Sequence, residues 1–360
     1  MFDKNIIQIT PRLPPAIDGV GDYSLKLADG LLKNYGIVTH FLTCQQGFKP
    51  KAVINGFPVI QLPNQSPTAF LDFIPKNIYK IILHYSDYPY EQKYGAPFWL
   101  AEALELLRRQ HRVQLLVMFH ELPYFSWLRK NFYLFPLQSS AAWQIARKAD
   151  IVFTNNSVSK TTLARRLNHP VISVPVFSNI GEPDLVPPLK GRTRRILVFG
   201  TPGRRARIYQ KSTEMLLNTC RLLGIEQICD LGPPLQLNIS EIKGVPLVEM
   251  GEKSAQEISN LMLNSLAGIA YSTDNRLLTK SGVFATYCAH GVVPILTQAK
   301  SSQADGLEVG THFVFAGSQA KSIDIESLQT IADQAHRWYK NHNQSKSVEL
   351  FATQLLGNGF

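Results

Sequence analysis

The residues Lys280-Ser281-Gly282-Val283 combine side-chain and backbone chemistry suited to holding a phosphate. An apolar run at 266–272 reads as a strand entering a polar loop, and a short helix then runs to Gly291 before another apolar strand at 292–296. A helix that opens on Ser-Gly-Val has unpaired backbone N–H groups at its start, with no side chain crowding them at Gly282. Lys280 adds a full positive charge just before them. The chemistry implied is electrostatic binding of a phosphate or diphosphate. Taken alone, the segment also fits a lysine beside an ordinary strand-to-helix turn.

A second loop of this kind lies near the start. The apolar run Asn5-Ile6-Ile7-Gln8-Ile9 is followed by Asp18-Gly19-Val20-Gly21-Asp22, then by apolar residues at helical spacing from Tyr23 to Leu32. Asp22 reads as the helix N-cap and Gly36 as its stop. Gly19 and Gly21 therefore fall where a strand ends and a helix begins, the usual ligand position in parallel α/β sheets. Asp18, beside them, is a candidate for binding acceptor hydroxyls. A third example is the run 195–200, followed by Thr201-Pro202-Gly203-Arg204-Arg205-Ala206-Arg207, read as a loop, and a helix from about 212.

That third loop is strongly basic. Residues 190–211 hold eight Lys or Arg and no acid, within a net charge of +10. Arg204, Arg205 and Lys211 are candidates for the same diphosphate, since arginine forks match phosphate oxygens and can stabilise a departing diphosphate. The cluster also fits a solvated basic loop or contact with an anionic membrane. Nucleic acid is not expected, because the basic residues are not interleaved with stacking aromatics.

The elements needed to position these loops are those of an α/β protein. Strands are expected near 4–10, 38–43, 57–63, 79–85, 114–120, 150–156 and 170–176, then near 194–200, 227–232, 245–250, 266–272, 293–297 and 312–316. Helices are expected near 22–35, 97–110, 139–148, 157–167, 212–224, 254–264 and 281–290, with a helical tail over 323–357. Most strands are short continuous apolar runs, as expected when both faces of a parallel sheet are covered. With 360 residues, 45% hydrophobic and 18% charged, the chain is long enough for two domains with separate cores. The expected division is 1–178, a proline-bearing linker at 179–193, a second domain at 194–340, and a helix at 341–360 returning to the first domain. No apolar run approaches the ~20 residues that span a bilayer. A strand beginning by Asn5 leaves no room for a signal peptide, and four scattered cysteines suit a cytoplasmic protein better than a disulfide or zinc framework.

Taken in order along the chain, these segments resemble a bacterial glycosyltransferase of the GT-B fold, in the retaining "group 1" class. The residues carrying the resemblance are Gly19-Val-Gly-Asp-Tyr-Ser24, His84-Tyr-Ser-Asp-Tyr88, Gly95-Ala-Pro-Phe-Trp-Leu100, Val117-Met-Phe-His-Glu-Leu122, Ala149-Asp-Ile-Val-Phe-Thr154, Phe199-Gly-Thr-Pro-Gly-Arg204 and Lys280-Ser-Gly-Val-Phe284 with Ala289-His-Gly291. The resemblance implies two Rossmann-like domains facing a cleft. A nucleotide-sugar donor would bind chiefly to the second, and a saccharide or lipid-linked acceptor to the first. It also implies metal-independent transfer with retention, no cofactor, and a role in cell-surface polysaccharide synthesis at the inner face of the membrane, with peripheral membrane contact. His120, at a strand end, would touch the donor sugar or the acceptor hydroxyl; it also fits a structural histidine. Glu121 would orient His120 or cap a turn. Tyr85, with other aromatics at 88–99, would line an acceptor groove or belong to the core.

The chain departs from the family in one respect. Two glutamates eight positions apart are usual around the last helix; the corresponding residues here are Leu278 and Thr286. Thr286 could bond a ribose hydroxyl, whereas Leu278 cannot replace a charged sugar contact. Two outcomes follow: an active branch leaning on His120, Lys280 and Arg204 for catalysis, with Ser281, Gly282 and Val283 amides on the donor, or a catalytically silent protein that binds a nucleotide sugar or a partner enzyme. Donor base, sugar, acceptor and oligomeric state are not encoded in any motif.

Overall fold

Continuous apolar runs become the strands of two parallel sheets in a computed structural model that describes residues 4–75, 79–123, 132–272, 274–298, 300–318 and 322–357. The chain divides into two units, residues 1–175 with 344–360, and residues 176–343.

The first unit runs β1 (Asn5–Thr10), α1 (Gly19–Tyr35), β2 (Val38–Thr43), β3 (Val53–Ile54), β4 (Phe57–Gln61), α2 (Pro67–Phe73), β5 (Lys80–Tyr85), α3 (Asp87–Tyr90), α4 (Phe98–Gln110), β6 (Gln114–Phe119), α5 (Phe135–Lys148), β7 (Ile151–Thr154), α6 (Ser157–Ala164) and β8 (Val171–Ser173). Its sheet order is β3-β4-β2-β1-β5-β6-β7-β8, parallel except for the β3–β4 pair. The order reverses between β1 and β5. Alternate residues feed opposite faces. Ile7, Ile9, Leu83, Tyr85 and Phe119 enter a core with Leu100 and Leu104 of α4, while Phe41 and Val59 pack on the other face with Leu25 and Ala28 of α1.

The second unit runs β9 (Thr193–Phe199), α7 (Pro202–Lys211), α8 (Thr213–Leu223), β10 (Gln227–Leu231), β11 (Glu241–Ile242), β12 (Val245–Gly251), α9 (Ala255–Leu263), β13 (Ser265–Ala270), α10 (Gly282–Ala289), β14 (Val293–Leu296), β15 (Gln303–Ala304), β16 (Leu307–Glu308), β17 (Val314–Phe315) and α11 (Ile325–Lys340). The main sheet order is β11-β12-β10-β9-β13-β14-β17, parallel except at β11–β12. Here the order reverses between β9 and β13. The final helix, α12 (Gln344–Leu356), belongs to the first unit, where the Val348 side chain lies against Gly30 of α1.

Several boundaries differ from the sequence expectations for local reasons. Helix α1 begins at Gly19 because Asp18, not Asp22, is the N-cap: its carboxylate accepts from Gly21 N at 2.9 Å. Residues 202–207, expected within a loop, are the start of a helix that runs to Lys211; Pro202 at its first turn supplies a preset backbone angle and needs no N–H partner. The expected linker is tied into the second unit. Val176 N donates to Thr279 O, Leu189 is buried, and Arg192 donates to the carbonyls of Pro187, Ser265 and His290.

Candidate functional site

In a doubly wound sheet, ligands collect at the carboxyl ends of the strands where the order reverses. In the second unit that place is the end of β9 and β13. After β9 the chain turns at Gly200, whose φ of +129° only glycine adopts readily. Thr201 then occupies the N-cap of α7 without a side-chain hydrogen bond to the helix. A Cβ on Gly203, in the first turn, would meet nothing within 4 Å.

Beyond β13, a 3₁₀ turn, Asn275–Lys280, delivers Lys280 and Ser281 to the start of α10. Ser281 is the N-cap, its hydroxyl accepting from Phe284 N at 3.2 Å. That leaves the Gly282 and Val283 amides as the unpaired donors of the first turn. Gly282 faces open space: an added Cβ would meet only Asn179 Nδ2, at 3.7 Å. The two helix starts are neighbours, since a Cβ on Gly200 would lie 3.1 Å from Val283 Cγ2. Neither helix has an acidic residue in its first turn. Two positive dipole ends therefore converge beside Lys280.

Helical geometry sorts the arginines of α7. Arg204 and Arg207 lie on its exposed face; Arg204 Nη1 donates to Tyr271 O at 3.4 Å and the Arg207 guanidinium sits 5.6 Å from the Tyr271 ring centroid. Arg205 points the other way. It is fully buried, paired with Asp230, and donates to the Gly200 and Pro233 carbonyls, so it is turned inward and out of reach of a ligand. Lys211 is exposed at the far end of α7, about 10 Å along the axis from Arg204. Neither Arg205 nor Lys211 joins the anion site expected from sequence. Thr286 is also excluded. It is 1% exposed, donates to Gly282 O at 2.7 Å and sits 3.2 Å from Ser178 Oγ, as an interior helix threonine does when it has no access to solvent. Leu278 is buried as well.

The first unit corrects further expectations. The Asp18 carboxylate is spent on capping α1 and on Arg12, 3.5 Å away, rather than offered to an acceptor. Gly21 is needed for packing, because a Cβ there would lie 2.4 Å from Arg12 O. With Asp18 on its cap and Asp22 in its first turn, the start of α1 repels anions, so Gly19 and Gly21 do not form a phosphate site. Burial, then the charge of Asp18, pushes the Asp22 carboxyl up to about 6. Tyr85 is fully buried in the core and does not line a groove: period-two alternation sends it to the face opposite His84, against Phe119 and Tyr90.

His120 follows β6 and is 7% exposed. Its Nε2 lies 3.1 Å from His84 Nδ1, and His84 Nε2 lies 2.8 Å from Gln8 Oε1. Burial lowers the His120 pKa to about 3 and that of His84 well below its usual value, so both rings are neutral near pH 7. Glu121 is exposed next to it. Sequence alone assigns no role to Gln8 or to His84, although His84 opens one of the segments carrying the resemblance and a glutamine in the middle of an apolar strand is a visible signal. Among the described residues, no group of three or more His, Cys, Asp or Glu is placed to hold a metal ion.

Two doubly wound α/β units in one chain, with the last helix returned to the first, define the GT-B fold class. No known protein-family profile and no curated protein sequence matches the chain. Solved structures match it over nearly its whole length. An alpha-glucosyltransferase (AGT) in complex with UDP superposes with a TM-score of 0.60 at 11% identity, covering 98% of this chain and 99% of that one. The UDP-GlcNAc 2-epimerase from Methanocaldococcus jannaschii gives 0.55 at 11% identity, with 98% and 99% covered. WaaG, a glycosyltransferase involved in lipopolysaccharide biosynthesis, gives 0.55 at 10% identity, with 98% and 100% covered. At these identities the likeness is one of fold.

Proposed function

We propose that the protein is a glycosyltransferase that takes its donor as a nucleoside-diphosphate sugar. The observation that carries this reading is the pair of adjacent, acid-free helix starts at the ends of β9 and β13, with Lys280, Arg204 and Arg207 beside them. Such a cluster would bind two linked phosphates and offset the charge that builds on them as the sugar departs. The fold is also that of proteins described as holding UDP, which supports a uridine donor without excluding other bases. In this reading Lys280 and Arg204 act on the leaving diphosphate, and the Ser281, Gly282 and Val283 turn binds it.

The transfer is assigned as retaining and independent of metal, with the departing phosphate taking the acceptor proton. A saccharide or lipid-linked acceptor, used in cell-surface polysaccharide synthesis at the cytoplasmic face of the membrane, fits the net charge of +10. None of the described helices is long and apolar enough to cross a membrane itself. His120 and Glu121 are assigned to the saccharide, with His120 accepting a hydroxyl hydrogen bond. A second reading, a silent nucleotide-sugar binder, is favoured by Leu278 and Thr286, both buried where the resembling family carries glutamates.

Calorimetric titration with UDP, GDP and ADP and their sugar conjugates tests the proposal. Binding of one base family, weakened at least tenfold by Lys280→Ala, is the expected result. Absence of binding to all of them would sink it. Release of the nucleotide from a bound conjugate in the presence of acceptors separates the enzyme from the silent binder, and an epimerised sugar would point to isomerisation instead.

A further inference from the structure

A polar ladder crosses one face of the first unit's sheet. Gln8 pairs in register with Phe41 on one side and Ile82 on the other, so Thr39, Gln8 and His84 share a face. His84 pairs with Met118, and His120, two residues on, returns to the same face. Thr39, Gln8 and His84 are completely buried. A row of polar side chains at such depth survives only if each hydrogen bond is made. We propose that Gln8 and His84 are positioning residues that fix His120 as the tautomer protonated on Nε2, so that its Nδ1 is presented as a hydrogen-bond acceptor to a hydroxyl group of a bound saccharide.

The polarity of the chain follows from the orientation of the Gln8 amide, since the Thr39 hydroxyl can donate or accept and the reversed amide would reverse every link. Gln8 Nε2 donates to Thr39 Oγ1 at 3.2 Å, which leaves Gln8 Oε1 facing His84 Nε2 at 2.8 Å. An amide oxygen only accepts, so His84 carries its proton on Nε2. A neutral His84 then has a lone pair on Nδ1, and the nitrogen 3.1 Å away, His120 Nε2, must donate to it. The proton on Nε2 leaves His120 Nδ1 bare, and among the described residues nothing bonds it. The ring is held in place by the Tyr23 edge, 5.0 Å away at 78°, by stacking on His84 at 5.3 Å, and by Asn155 Nδ2, which donates to His120 O at 3.0 Å.

The far end of the chain decides what His120 is able to do. In a serine-protease triad the histidine is backed by a carboxylate, which stabilises the imidazolium that forms. Here the backing group is a neutral amide on a neutral hydroxyl, and burial opposes charge on both rings. His120 is thereby suited to accept a hydrogen bond but not to keep a proton. That division of labour matches a transfer in which the leaving phosphate removes the acceptor proton, and to that extent the inference rests on the proposed function.

The tautomer itself is measurable without any substrate. Long-range proton–nitrogen NMR spectra of the ¹⁵N-histidine-labelled full chain at neutral pH distinguish a bare ring nitrogen from a protonated one, with His120 identified by the signal lost in His120→Gln. The expected result is Nε2–H with bare Nδ1 for both His84 and His120. A protonated His120 Nδ1, or a mixture of tautomers, would overturn the proposal whether or not the protein transfers sugar. The role at the site is read by titrating UDP and UDP-glucose against His84→Leu and His84→Asn. In Asn the side-chain oxygen still accepts from His120 Nε2; in Leu nothing does. His84→Leu should weaken UDP-glucose about tenfold, the worth of one hydrogen bond, and leave UDP unchanged, whereas His84→Asn stays within about threefold of the unaltered protein. Equal loss in both variants, or loss of UDP binding as well, would mean a structural role only. If neither ligand binds the unaltered protein, the donor assignment fails while the NMR result still decides the tautomer.

Discussion

Arg205 and Asp230 form an ion pair from which solvent is excluded, at 0% and 1% side-chain exposure, directly beneath the start of α7. The guanidinium also donates to Gly200 O and Pro233 O, and the Tyr209 hydroxyl donates to the second carboxylate oxygen of Asp230 at 2.9 Å. One buried cation therefore ties together the end of β9, the end of β10 and the loop beyond it. Gly232, at φ +134°, permits the close approach: a Cβ there would come within 3.0 Å of Arg205 Nη2. The position of the neighbouring Arg204 on the open face of α7 depends on this anchor.

Removing one partner of such a pair leaves the other charge buried and uncompensated. Arg205→Met should cost about 3–5 kcal/mol of stability. Arg204→Ala, on the exposed face, should change stability by no more than about 0.5 kcal/mol yet weaken nucleotide-sugar binding. Urea denaturation and calorimetric titration of both variants check this. Similar midpoints for Arg205→Met and the unaltered protein would show that the pair is not an anchor.

Gly282 offers a different separation. Its surroundings are open enough for a side chain, but that side chain would stand in front of the Gly282 and Val283 amides. Gly282→Val should leave the melting temperature nearly unchanged and reduce UDP affinity by at least tenfold, since hydrogen bonds to a charged group are worth about 1.5–3 kcal/mol each. Undiminished UDP binding in that variant would move the diphosphate elsewhere.

Gly21 should behave in the opposite way. An alanine Cβ would lie 2.4 Å from a backbone oxygen, Arg12 O, and a backbone atom yields less easily than a side-chain tip. Gly21→Ala should destabilise the first unit by about 1–3 kcal/mol and leave UDP affinity intact. A loss of UDP binding with unchanged stability would restore the α1 loop as a donor site.

The strand–loop–helix order was legible because apolar runs and glycines are local signals, and the α10 start was read from four consecutive residues. What was missed depends on which way a side chain points. Arg204 and Arg205 are adjacent and chemically alike; only the helix over 202–211 and the burial of Asp230 send one to the surface and the other inward. The same holds for Tyr85 beside His84, which period-two alternation places on opposite faces once β5 is known to lie inside the sheet. Asp18 and Asp22 both suit an N-cap, and the choice falls to Asp18 because the chain becomes helical one turn earlier than the apolar spacing suggested. Gln8 and His84 lie 76 positions apart, and their contact exists only because β1 and β5 pair across the point where the strand order reverses.

Asp22 gives the stability a pH dependence whose sign is fixed. Its carboxyl is raised from 3.8 to about 6, first by burial and then by Asp18, so the folded protein holds a proton that the unfolded chain has released. Between those values the folded state binds more protons, and stability falls as pH rises through the window, levelling off above about 6. The buried histidines act in the reverse sense: His120, lowered from 6.5 to about 3, gains stability as pH rises across that range. Comparing Asp22→Asn with the unaltered protein cancels the histidine contribution, because both chains carry it. The two should be similar in stability near pH 4, and the variant should be the more stable at pH 7.5, by up to about 3 kcal/mol if the whole shift is realised. Urea midpoints at the two pH values measure the difference directly. A gap that stays constant between them would mean that Asp22 titrates as an ordinary surface carboxylate and that the start of α1 is more open to water than its packing indicates.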